Sequence, residues 1–310
     1  MSTNDKLPSL KQIVLVGAGA IGTVVAASLT QGSDLPLTVL ARGSQYRALK
    51  SGPLRLRGKI NAEIELQVDD QLDFCLEDTL LIMAVKAVDL AQALDTLKSR
   101  VKPSSVFLFL QNGYGIRQAA LQSLHPLQLP QSSIQRAVTS IGATLLEPGL
   151  TAYYGGGLVL HPSASAHGLP QILQHGFISL RVAPDFARYC WIKLLINTVV
   201  NPLSVVLEAS NREIARTEND PLKSLLLNEA LAVAAAEGVK LELDCAFLNR
   251  FIDSDNISSM LQDIRRGKPT ENEFISGALL RLAAKHSIEI PSHRLLYQLV
   301  RARELAARKD

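Results

Sequence analysis

The sequence predicts an α/β domain followed by an all-helical domain, and three observations support this order. Short, continuous apolar runs recur through the first half, at 12–16, 35–41, 79–85 and 106–110. Between the last two runs, "DLAQALDTLKSR" (89–100) has the period of an amphipathic helix. From about residue 184 the strand-like runs stop and long helical patterns follow. Strands that are apolar throughout, separated by helices, are typical of a parallel sheet covered on both faces.

The remaining elements follow from the same patterns. Residues 54–68 alternate apolar and polar side chains and predict an inserted hairpin, while 134–146 and 152–161 predict later strands of the same sheet. Helices are predicted at 185–200, 220–237, 244–252, 257–266 and 270–286. We therefore divide the chain into an α/β domain, 1–182, and a helical domain, 183–310.

Composition excludes several classes of protein. The chain has 310 residues, of which 47% are hydrophobic and 20% charged, so it can build two cores and is not disordered. Its net charge of +3 is scattered, which argues against nucleic-acid binding. Cys75, Cys190 and Cys245 lie far apart in the sequence, so they predict neither a disulfide framework nor a zinc site.

The same features predict a cytoplasmic protein. Widely spaced cysteines suit a reducing compartment. Residues 1–10 are polar and lack the apolar core of a signal peptide. No uninterrupted apolar run approaches the ~18 residues of a membrane span, so no membrane association is expected.

The stretch "GAGAIG" (17–22) follows the first strand directly and opens a helix. In this context Gly17 permits a tight turn, Gly19 lets the backbone approach a pyrophosphate, and Gly22 allows close helix–strand packing. Ala18, Ala20 and Ile21 complete the loop, and the helix N-terminus offers free N–H groups to phosphates. The pattern favours a Rossmann-type dinucleotide site over the alternative, a glycine-rich turn without a ligand.

Three polar residues follow predicted strands at the edge where such sheets bind ligands. An NAD site usually has Asp or Glu after the second strand, but here the position carries Arg42. A guanidinium favours a 2′-phosphate, so we expect NADP(H), although a solvated surface arginine is the alternative. Lys86 and Asn112 follow the next two strands, and either could instead be an ordinary turn residue.

Polar residues also interrupt the apolar stretch "WIKLLINTVVNPLS" (191–204). Lys193, Asn197 and Asn201 are spaced i, i+4, i+8 and so form one stripe on a helix. An unpaired buried amide costs about 1–3 kcal/mol, which favours a stripe that faces a polar cleft or a ligand. The alternative is that the lysine extends to solvent and the asparagines cap backbone groups. Pro202 predicts a kink or a helix end at Asn201.

A further motif, "TENE" (270–273), predicts a capping box in which Thr270 is the N-cap and Glu273 bonds back to it. Glu271 would then occupy the first helical position, where the box does not require it. The helix dipole would keep its carboxylate ionised. Glu271 is therefore either a ligand acceptor or a simple complement to the dipole.

Together these segments resemble the ketopantoate reductase (2-dehydropantoate 2-reductase) family. "VGAGAIG", "LAR", "VKAVD", "LQNG", "WIKLLINTVVNPLS" and "SSMLQDIRRGKPTENEFISG" occur in family order, and the last two are the most specific. The resemblance implies a Rossmann-type N-terminal domain, a helical C-terminal domain and an active site in the cleft between them. It also implies NADPH-dependent reduction of 2-dehydropantoate to (R)-pantoate on the route to pantothenate and coenzyme A.

The resemblance also implies roles for individual residues. Lys193 matches the catalytic proton donor, and the substrate-binding positions are Asn112, Asn197, Asn201, Asn211, Asn256, Ser259 and Glu271. The cofactor-binding positions are 17–22, Arg42, Lys86, Asn112, Ala143 and Glu271. The resemblance implies no metal, and it implies a small 2-oxo acid as the substrate. Whether the protein forms a homodimer is left open.

Two positions depart from the family pattern. The chain reads "ENEF" where the family commonly has "E-I-D-Y", and Tyr153-Tyr154 replaces a common histidine. These departures leave two alternatives open. The enzyme acts on another small 2-oxo acid, or the protein is a non-catalytic NADP(H) sensor, for which an intact Lys193 would have no chemical purpose.

Overall fold

A computed structural model of the protein describes residues 10–307, and the chain divides into two compact units. The first contains the chain up to Gln111 together with Ile116–Phe186, and the second contains Asn112–Gly115 and the chain from Ala187 onward. This division falls four residues after the predicted boundary at 182. It also places the short segment 112–115, predicted as part of the α/β domain, with the helices. Residues 1–9, on which the expectation about a signal peptide depends, lie outside the described range.

The first unit alternates strands and helices. Its strands are β1 (Gln12–Val16), β2 (Leu37–Leu40), β3 (Leu54–Gly58), β4 (Ala62–Ile64), β5 (Gln67–Asp69), β6 (Thr79–Met83), β7 (Val106–Phe109), β8 (Ile134–Thr139), β9 (Gly142–Glu147), β10 (Leu150–Gly155), β11 (Gly157–Leu160) and β12 (Ser179–Val182). Its helices are α1 (Ala20–Gly32), α2 (Gly43–Ser51), α3 (Leu90–Leu97), α4 (Ile116–Leu124) and α5 (Leu169–Leu173).

Within the described residues, the main sheet has eight strands in the order β12-β11-β8-β7-β6-β1-β2-β5. The strands from β8 to β5 are parallel, with Ile13 paired to Leu37 on one side and to Leu80 on the other. β11 pairs antiparallel to β8. Every residue of β6 and β7 is buried, as expected for strands covered on both faces. The prediction of a Rossmann-type α/β fold is confirmed.

A second sheet has the order β4-β3-β10-β9. The predicted hairpin forms its β3 and β4, but the end of that segment, β5, joins the main sheet instead. Residues 134–146 and 152–161 do not lie in one sheet, because each run contains a break. Gly156 has φ +95°, and a Cβ there would lie 2.2 Å from the Ser140 carbonyl oxygen. The chain therefore turns at these two points, and β9 and β10 leave the main sheet.

The second unit contains long helices, as predicted. They are α6 (Phe186–Leu207, which begins one residue before the unit), α7 (Asn211–Ala215), α8 (Asp220–Ala236), α9 (Cys245–Ile252), α10 (Ser259–Arg265), α11 (Ser276–Lys285) and α12 (Pro291–Ala307). Apolar residues of α6, α8 and α11, among them Leu195, Val233 and Leu279, form one of its cores. The sequence patterns did not predict α7 and α12.

Helix α6 continues through Pro202 to Leu207, so of the two alternatives predicted at Asn201, a kink or a helix end, the helix end is wrong. The proline removes one backbone donor, but Val199, Val200 and Leu203 around it are buried, and their burial offsets the lost bond. By length and composition alone α6 could cross a membrane, with a mean hydropathy of 1.6. However, 72% of its most apolar window is buried inside the fold, as in a core helix.

Candidate active site

The glycine loop of the first unit has the local geometry that a bound pyrophosphate requires. Gly17 has φ +105°, and a Cβ there would lie 2.8 Å from the Val85 backbone nitrogen. A Cβ on Gly22 would lie 1.9 Å from the Gly17 carbonyl oxygen, so helix α1 can approach the loop only with glycine at this position. Around Gly19, in contrast, a Cβ would meet no atom within 4 Å. The loop is closed toward the protein and open at Gly19.

Helix α1 begins directly after this open position. Its N-cap is Gly19, without a side-chain capping bond, and its first turn has no acidic residue. The amides of the first turn and the positive end of the helix dipole therefore remain suited to an anion. These features fit the diphosphate of a dinucleotide.

Arg42 and Lys86 follow strands β2 and β6 in the first unit. Arg42 is exposed and is the N-cap of α2, whose first turn also lacks an acidic residue. Lys86 is half-buried and precedes the 3₁₀ turn Ala87–Asp89. Ala143 lies in β9, opposite Tyr153 of β10, so its backbone belongs to the second sheet.

Gln111, which the sequence analysis did not single out, fixes the segment before Lys86. Its side chain is 5% exposed, and Nε2 donates to the carbonyl oxygens of Met83 at 2.9 Å and Val85 at 2.8 Å. The Gln111 Oε1 atom is buried without a partner among the described residues. The sequence signal for Gln111 was its position as a polar residue directly after an apolar strand. Asn112, the next residue, has the same signal, and the sequence analysis selected Asn112 alone.

In the second unit, Lys193, Glu271 and Asn112 lie together. Burial lowers the pKa of Lys193 from 10.5 to about 8, and the negative charge of Glu271 partly opposes this shift. Glu271 is 8% exposed, and the Asn112 Nδ2 atom lies 3.5 Å from its Oε2. Three residues distant in sequence thus form a cation, a carboxylate and an amide donor in one group.

The polar stripe of α6 is largely buried. Asn197 and Asn201 are each 6% exposed, whereas Lys193 is half-buried. Neither asparagine side chain makes a hydrogen bond to residues 10–307, and neither contributes an atom to the buried unpaired polar atoms of the described chain. Their amides are therefore accessible to solvent or to a ligand and do not cap backbone groups.

Of the other predicted substrate residues, Asn211 and Asn256 are bonded to each other, and Ser259 lies beside a bonded serine. The Asn211 backbone nitrogen donates to the Asn256 carbonyl oxygen at 2.9 Å, and the Asn211 Oδ1 atom is buried without a partner in the described chain. Ser259 is exposed at the start of α10. Its neighbour Ser258 is buried, caps α10 and forms a short hydrogen bond with Ser204.

Ser204 links this cap to the polar stripe. Its Oγ donates to the Asn201 carbonyl oxygen at 2.8 Å, so the Ser258 hydroxyl must donate to Ser204. Ser258 Oγ in turn accepts from the Leu261 nitrogen at 3.1 Å. The chain of bonds holds the start of α10, and with it Ser259, at a fixed distance from Asn201.

The predicted capping box is wrong. Helix α11 begins at Ser276, so Glu271 lies in the preceding turn rather than at a first helical position. The Thr270 hydroxyl accepts from the Asn272 nitrogen at 3.2 Å, while the Thr270 nitrogen donates to Glu304 at 2.6 Å. Glu273 instead accepts from Tyr297 Oη at 2.5 Å and from Arg281. These partners are distant in sequence, so the local motif could not reveal them.

Comparison with known proteins identifies the family. The model of the family "Ketopantoate reductase PanE/ApbA" matches residues 13–162, and the model of the C-terminal domain of the same family matches residues 185–304. The chain belongs to the ketopantoate reductase family. A curated 2-dehydropantoate 2-reductase from Pyrococcus horikoshii is 29% identical over 94% of this chain and 97% of its own length. The expected resemblance is therefore confirmed, and the chain is an oxidoreductase.

Solved structures share the fold. A PanE/ApbA family ketopantoate reductase from Ralstonia eutropha has a TM-score of 0.82 at 26% identity, covering 96% of this chain and 99% of its own. A D-mandelate dehydrogenase bound to NADH and anilino(oxo)acetate has a TM-score of 0.81 at 23% identity, covering 96% and 99%. Membership of the ketopantoate reductase family makes the chain a pyridine-nucleotide-dependent reductase. Within the described residues, no group of three or more His, Cys, Asp or Glu side chains could hold a metal ion.

Proposed function

We propose that this protein is a cytoplasmic 2-dehydropantoate 2-reductase that uses NADPH to reduce ketopantoate to (R)-pantoate, a step toward pantothenate and coenzyme A. The observation that supports this most is the pKa of about 8 for Lys193 beside Glu271. A lysine with this pKa is still mostly protonated at neutral pH, yet it releases its proton far more readily than a solvated lysine.

Lys193 is the general acid in this proposal. Bound NADPH supplies the hydride. As the substrate carbonyl is reduced, negative charge develops on its oxygen, and the Lys193 ammonium stabilises that charge and then donates a proton to the same oxygen. Electrostatic stabilisation in a desolvated site is typically the largest catalytic contribution, and proton donation adds about 10²–10⁴-fold.

Glu271 and Asn112 position this chemistry. Glu271 keeps the Lys193 site ionised, because its charge favours the protonated amine. The Asn112 amide lies 3.5 Å from the same carboxylate, and we assign it to bound substrate or nicotinamide. We assign Glu271 to both substrate and cofactor, because it lies beside both Lys193 and Asn112.

The substrate's polar groups would pair with the remaining residues of the second unit. Asn197 and Asn201 present amides that lack protein partners, and Asn211 presents a buried Oδ1 acceptor suited to a hydroxyl. Asn256, bonded through its carbonyl to Asn211, and the exposed Ser259 complete the set. The 2-oxo acid carries a carboxylate, a carbonyl and a hydroxyl, which need this mixture of donors and acceptors.

Cofactor binding is assigned to the first unit. Residues Gly17–Gly22 would hold the diphosphate, Lys86 and Arg42 the negatively charged groups, and Ala143 would contribute its backbone. The preference for NADPH depends on Arg42, whose exposed guanidinium at the start of α2 suits a 2′-phosphate.

The direct test follows NADPH oxidation at 340 nm with purified protein and ketopantoate (about 10–500 μM). Lys193→Ala should lower kcat by about 10²–10⁴-fold while leaving NADPH affinity unchanged. Arg42→Ala should weaken NADPH binding by about 10- to 100-fold and leave NADH binding unaffected. Arg47→Ala is the matched control, because Arg47 is also exposed on α2 and should change neither.

The results of these assays distinguish the proposed function from its alternatives. Turnover of other 2-oxo acids from an aliphatic and aromatic panel, with ketopantoate inert, would reassign the substrate but keep the chemistry. Tight NADPH binding without turnover of any 2-oxo acid would favour the sensor alternative. An active Lys193→Ala variant would overturn the assignment of the general acid. The homodimer stays a prediction, which light scattering after size exclusion measures directly.

A further inference from the structure

The segment Asn112–Gly115 connects two elements of the first unit but packs with the second. Among residues 10–307, the Asn112 side chain makes one hydrogen bond, to Glu271, and at 3.5 Å this bond is too long to hold a loop in place by itself. Something else in the segment must fix it to the helical unit. Tyr114 is the residue with the contacts to do so.

The backbone of the segment is tied to the turn that carries Glu271. The Tyr114 nitrogen donates to the Phe274 carbonyl oxygen at 3.0 Å. Gly113, with φ +104°, approaches the same carbonyl so closely that a Cβ would lie 2.5 Å from it. Phe274 follows Glu271 by three residues, and its nitrogen donates to the Glu271 carbonyl oxygen at 3.0 Å. The 112–115 segment and Glu271 therefore share one turn.

The Tyr114 ring packs on the helix that carries Lys193. Its centroid lies 5.5 Å from that of Trp191, with a 53° angle between the rings, a tilted geometry that is favourable for aromatic pairs. Trp191 is 3% exposed and precedes Lys193 by two residues on α6. Tyr114, whose backbone is bonded beside Asn112, thus also contacts the helix turn that carries Lys193 through its ring.

The Tyr114 side chain also lies near a carboxylate at the ends of two helices. Burial raises the pKa of Tyr114, and the negative charge of Glu237 adds to the increase, so the hydroxyl stays protonated. Glu237 accepts from Lys285 at 2.7 Å and His286 at 2.5 Å, and these bonds lower its pKa. Glu237 follows the last residue of α8, and Lys285 and His286 lie at the end of α11, so the charge that acts on Tyr114 lies where two helices end.

We infer that Tyr114 is a positioning residue that holds the Asn112 amide against Glu271 and in register with Lys193. Its backbone is bonded to the turn that carries Glu271 and its ring packs on α6, and no other residue of the 112–115 segment has an aromatic side chain. The inference rests on the proposed function of Asn112, Glu271 and Lys193. It adds a residue that would not touch the substrate.

A double-mutant cycle tests this role. Asn112→Ala removes the amide directly, and Tyr114→Ala should lower kcat by about 10- to 100-fold through misplacement of that amide, with KM for NADPH unchanged. If Tyr114 acts through Asn112, the double variant should be no slower than Asn112→Ala alone. If the decreases in kcat caused by the two single substitutions multiply fully in the double variant, the inference is overturned.

Two milder variants separate the contacts. Tyr114→Phe keeps the ring on Trp191 and removes only the hydroxyl near Glu237, so its kcat should fall by less than that of Tyr114→Ala. Tyr297→Phe is the matched control, since it also removes a tyrosine hydroxyl beside a carboxylate, Glu273, in the same unit. Its effect should multiply fully with that of Asn112→Ala. If Tyr297→Phe departed from multiplicative behaviour with Asn112→Ala as much as the Tyr114 variants do, the effect would be a general destabilisation of the unit. A specific role for Tyr114 would then be overturned.

A second measurement does not depend on turnover. The side-chain amide NMR signal of Asn112, assigned by its loss in Asn112→Ala, should shift in Tyr114→Ala and in Glu271→Gln. An unchanged signal in Tyr114→Ala would overturn the positioning role even if the protein reduces no 2-oxo acid. Failure of the proposed function alone would remove turnover in the wild type but leave this shift in place.

Discussion

The pKa of Lys193 leads to a sharp prediction about the pH dependence of the reaction. The general acid that we propose, Lys193, must be protonated to act, so kcat/KM should fall as pH rises through the pKa of Lys193 in the free enzyme. With a pKa of about 8, roughly 90% of the enzyme is active at pH 7 and roughly 10% at pH 9. An unperturbed lysine would show no fall until above pH 10.

The magnitude follows from the two opposing causes. Lowering the pKa from 10.5 to about 8 corresponds to roughly 3 kcal/mol against the charged form, at ~1.4 kcal/mol for each tenfold change in proton affinity. Burial supplies this shift, while Glu271 works against it. Glu271→Gln should therefore move the alkaline limb to a pH below 8. Glu273→Gln, two residues away with an exposed carboxylate bonded to Arg281 and Tyr297, should leave the limb in place.

The assay is kcat/KM for the 2-oxo acid at saturating NADPH from pH 6 to 10.5 in buffers of constant ionic strength. Lys193→Arg supplies the control for other titrating groups, because a guanidinium stays charged throughout and its residual activity should lack the limb. The reasoning would be refuted if kcat/KM of the wild type fell only near pH 10.5, or if a fall near pH 8 persisted in Lys193→Arg. If Glu271→Gln left the pH of this fall unchanged, the electrostatic coupling between Glu271 and Lys193 would be refuted.

Three further outcomes follow from the structure. Lys193→Met should raise the free energy of unfolding at pH 7 by roughly 1–3 kcal/mol, measured by urea denaturation. Because the pKa of Lys193 is lower in the folded protein than in the unfolded chain, the wild type should gain stability as pH rises from 8 to 10.5. The Lys193→Met variant should show no such gain. Gly22→Ala should destabilise the protein by about 1–3 kcal/mol, since its Cβ would lie 1.9 Å from a carbonyl oxygen, whereas Gly19→Ala should leave the melting temperature unchanged and weaken only NADPH binding. Ser204→Ala should cost about 1–3 kcal/mol by leaving the buried Ser258 hydroxyl without its acceptor, and Ser204→Ala/Ser258→Ala should cost less than the sum of the single variants.

Features that depend on local chemistry could be predicted from the sequence. Gly22 is required by its contact with Gly17 in the same strand–loop–helix unit, and Gly17 is required by its own φ of +105°, so these two glycines follow from the motif itself. The continuous apolar runs of β1, β6 and β7 likewise predicted buried parallel strands. Periodicity likewise placed Lys193 and the two asparagines on a single helix.

Features that depend on distant partners could not be predicted. The sequence "TENE" satisfies a local capping rule, but Glu304 takes the Thr270 nitrogen and Arg281 and Tyr297 take the Glu273 carboxylate. Tertiary contacts therefore replaced the cap and moved the helix start to Ser276. Likewise, nothing in "NGYG" indicates that its tyrosine packs on Trp191, almost 80 residues later in the chain.

The composition of α6 argues that its polar stripe serves chemistry rather than stability. In one helix the chain accepts a lysine with a depressed pKa, two mostly buried asparagines whose side chains have no hydrogen-bond partner among residues 10–307, and a proline that removes a backbone bond. Each feature is unfavourable for folding by itself, and only the apolar residues around them, such as Trp191, Leu195 and Val199, offset the cost. Apolar substitutions at 193, 197 and 201 would remove these costs without disturbing the helix period. A sequence that retains all three is explained if a ligand completes the hydrogen bonds that the protein leaves unmade.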